Sequence, residues 1–213
     1  IYMLDDTFIL YNLIYASRLL IALLVLIIIF YKRKYIRYIL FILIGFIIFF
    51  FRNNLDDIDE DRRSIVSPSS SKVEKIKDLE EKVYYLTYLS PLDRHFMIAP
   101  VDCRITEINK GLKKGDAERV KVVCVDNYGK EFELHLIVKK PMAGIGVLGG
   151  WVPKIFYKNR IVLQVRVGDE ISKGDRIGLI RFGSNMEYIF PKSYYMSLEL
   201  GDHYNVGDVI GKI

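Results

Sequence analysis

The sequence predicts a mainly β domain, built as a flattened β-barrel of the sandwich–barrel-hybrid kind, behind an N-terminal hydrophobic α-helical hairpin. Three observations carry this reading. Two uninterrupted apolar runs, Leu19–Tyr31 and Ile39–Phe51, lie close together near the start. From Ser64 onward, short alternating segments are separated by turn residues. The pattern "VGDEISKGDRIG" (167–178) then returns as "LGDHYNVGDVIG" (200–211).

Each apolar run is 13 residues long, whereas a perpendicular membrane span needs about 20. Extending the first run back to Phe8 takes in Asn12 and Arg18. Extending the second back to Tyr35 takes in Arg37, whose long stem can snorkel. Neither run shows the polar face of a helix that covers a soluble core, and together they are too long for a cleaved signal peptide. Residues 1–51 are therefore expected to anchor the chain to a membrane. If both helices cross, the basic loop "YKRKYIR" between them faces the cytoplasm. A re-entrant hairpin would keep everything on one side, so which membrane and which face stay open. Residues 52–63, with five acids between Asp56 and Asp61, read as a charged linker.

Residues 64–213 read as the β domain. One helix is expected near Lys72–Leu86. "KVVCVDNYGKEFELHLIV" reads as a hairpin, with Asp126-Asn127-Tyr128-Gly129 as its turn. In the doubled Gly-Asp pattern, Asp and Gly supply tight turns and the apolar residues between them face a shared core. That pattern resembles the flattened barrel of biotinyl- and lipoyl-type carrier domains.

Composition narrows the function classes. The net charge of +5 is spread along the chain with no long basic run. No nucleic-acid partner is expected; an anionic lipid surface suits the charge better, with Lys113-Lys114 and Lys139-Lys140 as contributors. Cys103 and Cys124 form no C-x-x-C pair and read as two separate, partly buried thiols. No metal-ligand spacing is present, so no metal site is expected. "GIGVLGG" (144–150) is followed by Trp151-Val152-Pro153 instead of opening a helix, as a phosphate-cradling loop would.

"IRFGSNMEYIF" (180–190) alternates as a half-buried strand does, yet Gly183-Ser184 interrupts it. The three histidines differ in setting. His203 lies in a Gly-Asp turn and reads as exposed. His135, in "ELHLIV", falls on the opposite strand face from Leu134 and Leu136. His95 is bracketed by Pro91 and Pro100, with Asp93 two residues before it, on the same side of an extended chain and able to orient its ring.

These segments carry a resemblance. "YLSPLDRHFMIAPVD" (88–102) resembles the F-L-S-P-x-D-x-H-x-N-R-A-P-x-D-G stretch of phosphatidylserine decarboxylases. "KGDRIGLIRFGSNMEYIFP" (173–191) is similar to that family's processing region, G-x-x-x-G-x-I-x-F-G-S. "FFFRNN" (49–54) resembles the end of the membrane segment in the short form of the family, and "SIVSPSSSKV" (64–73) occupies the place of S-P-A-D-G-x-V.

The resemblance implies a self-processing proenzyme. Ser184 would attack the carbonyl of Gly183, and β-elimination would divide the chain into a β chain ending at residue 183 and an α chain of residues 184–213. Residue 184 would become a covalent pyruvoyl cofactor, an electron sink that takes the amine of phosphatidylserine as an imine and stabilises the carbanion left by CO2. His95 would protonate that carbanion, giving phosphatidylethanolamine. The implied partners are phosphatidylserine, membrane lipid and the chain's own two products; a homo-oligomer stays open. Four positions depart from the pattern, one of them Cys103, which replaces the Gly after Asp102, while Asp102 itself keeps the A-P-x-D pattern. The processing Asp falls on Ser70, and the residues after the His fall on Met97 and Ile98, none of them a carboxylate or an imidazole. The base then falls to His95, Asp93 or His135. Two alternatives accompany this reading: a non-processing pseudoenzyme that binds lipid or a partner, and a carrier-like membrane adaptor.

Overall fold

The computed structural model describes residues 20–50, 57–90, 93–114, 117–138, 161–180 and 184–213. The Gly-rich stretch 144–150, Lys139-Lys140 and Gly183 lie outside them. The chain divides into two compact units, Ile1–Asn54 and Leu55–Ile213.

In the first unit, helix α1 (20–29) and helix α2 (Lys34–Phe50) are joined by a turn at the basic residues. They pack through Leu23, Leu40 and Ile47. Most of their other large apolar side chains, including Ile21, Ile28, Phe41 and Ile42, are exposed. No helix among the described residues is long and apolar enough to cross a membrane. The chain breaks at Phe30–Lys32 and α2 runs for 17 residues, about 26 Å at 1.5 Å per residue, against a hydrocarbon core of about 30 Å. The expected transmembrane helices are thus not found there.

The described strands of the second unit all pair antiparallel. β1 (Ser64–Val66), β2 (Ser71–Asp78), β3 (Lys82–Leu89), β4 (Phe96–Ile98), β5 (Cys103–Lys114), β6 (Ala117–Asp126) and β7 (Glu131–Val138) precede β8 (Ile161–Leu163), β9 (Glu170–Ile171) and β10 (Arg176–Ile180). β11 (Ser184–Pro191), β12 (Tyr195–Met196), β13 (His203–Tyr204) and β14 (Val209–Lys212) complete the chain. They form sheets ordered β13-β2-β3-β11-β7-β6-β5-β9, β4-β10-β8 and β1-β14-β12. The expected closed barrel gives way, among the described strands, to three open sheets. The chain changes sheet at its short connections, so no one sheet curls back on itself.

The helix expected at Lys72–Leu86 is instead the β2–β3 hairpin, turning at Leu79–Glu81. Val73, Ile76, Val83, Tyr84, Tyr85 and Thr87 explain this: β-branched and aromatic side chains fit a pleated surface better than a helix. The predicted hairpin at Asp126–Lys130 forms. Asp126 Oδ1 accepts the amides of Tyr128 and Lys130, and Gly129 takes φ +75°.

Alternation builds the core. Met186, Tyr188 and Phe190 of β11 lie on the inner face with Phe132, Leu134 and Leu136 of β7 and Val120, Val122 and Cys124 of β6. The hairpin β5–β6 brings Cys103 and Cys124, read as separate, into hydrogen-bonding contact; that bond and burial push the Cys124 thiol up. The Gly-Asp repeats form one recurring turn. Asp169, Asp175 and Asp208 each accept the amide three residues earlier at 2.7–2.8 Å, after a glycine with φ of +96°, +89° or +91°.

Candidate active site

Two short connections run between the same two sheets. One links β3 to β4 through residues 90–95; the other links β10 to β11 through residues 181–183. Their ends are tied together. Ser184, the first residue of β11, is the register partner of Leu89, the last of β3. At the other end the Ile180 amide donates to the His95 carbonyl at 2.8 Å. Ile180 and Ser184, which flank the expected cleavage position in sequence, are thus tied to the two ends of the segment that carries Asp93 and His95. β11 itself is held on both sides, by β3 and by β7, so its start is a fixed point of the largest sheet.

His95 is buried. Its Nδ1 donates to the Asp93 carbonyl oxygen at 2.8 Å, which places the proton of the neutral ring on Nδ1 and makes Nε2 the basic nitrogen. The ring is therefore oriented by the Asp93 backbone, where the spacing suggested the carboxylate. Next to it, Phe96 packs under the Arg176 guanidinium, 4.9 Å from the ring centre. The Asp93 carboxylate has two other duties. Oδ2 accepts the Ser90 amide at 2.7 Å, and Oδ1 meets His203 Nε2 at 2.9 Å.

The three serines alternate as an extended chain must. Ser69 and Ser71 turn towards the Tyr188 hydroxyl, with Ser69 in close contact and Ser71 at 3.4 Å. Ser70 turns away; its buried Oγ accepts the Val206 amide at 3.0 Å. It precedes β2, two strands from β11, so about 10 Å separates the backbones. Asp102, which keeps the A-P-x-D pattern, accepts the Lys173 amide at 2.8 Å and so ties the chain before β5 to the turn before β10.

His135 stands apart, on the outer face of the sheet. It lies opposite Glu187 in register, with Nδ1 3.2 Å from Glu187 and Nε2 3.0 Å from Glu133. Arg119 reaches Glu187 at 2.7 Å, and Lys121 reaches Glu133 at 3.1 Å. Burial alone would pull His135 down, but the two carboxylates outweigh it and raise its pKa. The His135 hydrogen bond holds Glu133 at about 2. Glu187 lies three residues beyond Ser184, about 10 Å along the strand.

The structure therefore joins Asp93 to His203 and to the His95 ring in the segment that follows β3, and leaves His135 in a separate charged cluster. Sequence reading missed His203, and Glu187 with it. The ladder His203↔Lys72, Lys72↔Tyr88, Tyr88↔Asn185 brings His203 to this end of the sheet, and no local motif records that pairing. Among the described residues no cluster of His, Cys, Asp and Glu could hold a metal ion.

A family model, phosphatidylserine decarboxylase, matches residues 150–212. The chain is 28% identical over 175 residues to a phosphatidylserine decarboxylase proenzyme of Amoebophilus asiaticus, covering 78% of this chain and 75% of that one. It is 29% identical to the proenzyme of that name in Carboxydothermus hydrogenoformans, covering 71% of each. A Methanopyrus kandleri protein, assigned provisionally as an archaetidylserine decarboxylase proenzyme, is 29% identical over 77% of this chain and 80% of its own. No solved structure matches. With four matched segments in order and relatives aligned along most of its length, the chain is similar to phosphatidylserine decarboxylase proenzymes.

Proposed function

We propose that this decarboxylase cleaves itself between Gly183 and Ser184 and then removes CO2 from the serine headgroup of a phospholipid, phosphatidylserine or its archaeal counterpart. The observation that carries the reading is the pairing of Ser184 with Leu89 and of Ile180 with His95, at the two ends of one short segment. Relatives named as proenzymes support it.

The chemistry of self-cleavage follows from the ends of that connection. Ser184 Oγ attacks the Gly183 carbonyl, its proton goes to the departing amide nitrogen, and an ester replaces the amide. A missing Cβ at residue 183 lets the hydroxyl approach. A base then takes the Ser184 α-proton, and the Cβ–O bond breaks with Gly183 leaving as carboxylate. The residues present fit a pyruvoyl group: its position begins a strand that pairs with β3 and β7, and the backbone of the buried His95 is tied to Ile180 at the end of β10. Such a group supplies an electron sink for decarboxylation. His95 Nε2, the basic nitrogen of the neutral ring, first takes up a proton and then gives it to the carbon that CO2 leaves. Burial of His95 keeps that proton from exchanging with water before use.

The exposed apolar faces of α1 and α2 support attachment to the membrane surface on which such a substrate lies. The pseudoenzyme reading has no support among relatives named as proenzymes.

A denaturing gel tests the proposal. The wild type should appear as pieces of 183 and 30 residues, and Ser184→Ala as one inactive chain. A wild type that stays whole, or a Ser184→Ala chain that still divides, overturns it.

A further inference from the structure

The strand register brings a basic hairpin tip level with the start of β11. Lys72, Tyr88, Asn185, Ile137, Arg119 and Leu112 form one row across the large sheet, each the register partner of the next. One residue farther towards the same end stand Ser184, opposite Leu89, and Lys113, opposite Glu118. Three strand spacings, about 14 Å, separate β11 from β5 along that row. The β5 arm of the tip carries Lys110, Lys113 and Lys114.

The opposite end of the sheet has a different charge. There Lys192 pairs with Asp78 at 2.5 Å and Lys82 with Glu131 at 2.9 Å. Glu80 and Glu81 occupy the β2–β3 turn between them. The β5 edge is also open. β9 pairs with β5 only at Cys103 and Arg104, so among the described residues Ile105–Lys114 has no strand on its outer side. Lysines on such an edge discourage pairing with another chain. Their position level with Ser184 gives them a second use.

We propose that the tip of hairpin β5–β6 is a lipid-contacting surface, at which Lys110, Lys113 and Lys114 meet the phosphates of an anionic bilayer while β11 faces the headgroup layer from the same end of the sheet. This deepens the phospholipid reading above and rests on it. A bilayer is flat, so one laid against the end of a sheet touches strands several spacings apart together. Whatever is level with residue 184 must then face the surface that supplies its substrate. Lysines near acidic headgroups add attraction that fades within a Debye length, about 10 Å at 0.1 M salt. The reaction itself modulates that attraction. The serine headgroup is net negative, and losing its carboxylate as CO2 with uptake of one proton leaves a neutral ethanolamine headgroup. Contact is therefore strongest on membrane still rich in substrate.

Two measurements on the full chain test the surface. In the first, Lys113→Cys and, at the opposite end, Leu79→Cys each carry a fluorophore, since Cys103 and Cys124 are buried. Equimolar phosphatidylcholine–phosphatidylglycerol vesicles bear a spin label at the headgroup as quencher. Quenching at 113 should exceed that at 79 several-fold, and should fall in phosphatidylcholine alone and in about 1 M salt. Equal quenching at both positions, or none at 113, overturns the proposal and leaves the lysines as guards of an edge strand. This readout needs no self-cleavage, so it decides the surface even if the chain stays whole and the proposed function fails. In the second, Lys110→Gln, Lys113→Gln and Lys114→Gln are combined. KM for phosphatidylserine in vesicles should rise about 10-fold, with kcat, self-cleavage and the rate on a soluble short-chain phosphatidylserine unchanged. An unchanged KM on vesicles, or an equal loss on both substrates, overturns the proposal. So does the same loss from Lys77→Gln with Lys130→Gln at the other end, which would reduce the effect to net charge.

Discussion

Glu187 is the side chain on which the outer-face charge cluster depends. It is buried, yet it stays ionised. Burial pushes its carboxyl up, but His135 and Arg119 outweigh that and hold it below the usual carboxylate range. Glu187→Gln leaves Arg119 and His135 facing a neutral amide. Breaking a buried pair costs about 3–5 kcal/mol; with Arg119 partly exposed, a loss of about 3 kcal/mol is expected. Urea unfolding in the Ser184→Ala background measures it without interference from cleavage. Its pH dependence has a definite sign. His135 has a raised pKa, so its contribution is complete below the ordinary histidine value of about 6.5 and fades as pH rises through the folded value. Glu133 and Glu187 have lowered values, so theirs is complete above about 4.3 and fades as pH falls, for Glu133 towards about 2. The gap between wild type and Glu187→Gln should therefore be widest at pH about 4.5–6.5. A gap that stays constant from pH about 5 to 9 would remove His135 from the cluster's energetics.

Strand β10 shows what fixes the site at the scale of an element. Its Gly178 lies against β8, where an added Cβ would fall 2.5 Å from the Val162 carbonyl oxygen and 3.1 Å from Leu163. Backbone cannot yield there as a flexible side chain would. Gly178→Ala should force β8 and β10 apart, at a cost of about 1–3 kcal/mol, visible as a lowered Tm. Because β10 ends at Ile180, whose amide holds His95, cleavage should slow as well. An alanine variant with unchanged Tm and cleavage rate would show that the contact relaxes freely. Elements of this kind were legible where the signal is local: the alternation of Met186, Tyr188 and Phe190, the Asp126 turn and the Gly-Asp repeats all appear as read. Lys72–Leu86 was misread because charged residues at Lys72, Glu74, Lys75 and Lys77 mimic a helical face while Val, Tyr and Thr set the strand. The Asp93–His203 pair was invisible because 110 residues separate its members. Only the docking of β13 on β2 brings them together.

At the scale of the molecule, the segment 184–213 is threaded through the fold. β11 is an interior strand between β3 and β7, β13 edges the same sheet on β2, and β14 lies between β1 and β12 in another. Phe190 of this segment packs against Tyr85 and Phe132 of the rest. Cutting before Ser184 therefore severs a covalent link and leaves the core intact. The processed protein should elute as one native species, although a denaturing gel resolves two chains. Refolding should differ sharply. Ser184→Ala regains its structure in a unimolecular reaction, at a rate and yield independent of protein concentration. The processed form must bring two chains together, so its apparent stability follows mass action and falls on dilution. The 30-residue piece would meet its partner without the buried surface that orders it, since β11 has no sheet of its own. Refolding both forms from urea at two concentrations about tenfold apart, read by strand circular dichroism, makes the comparison. Concentration dependence in the processed form alone is expected. Equal behaviour would mean that segment 184–213 does not form the interior strand on which cleavage and site assembly both depend.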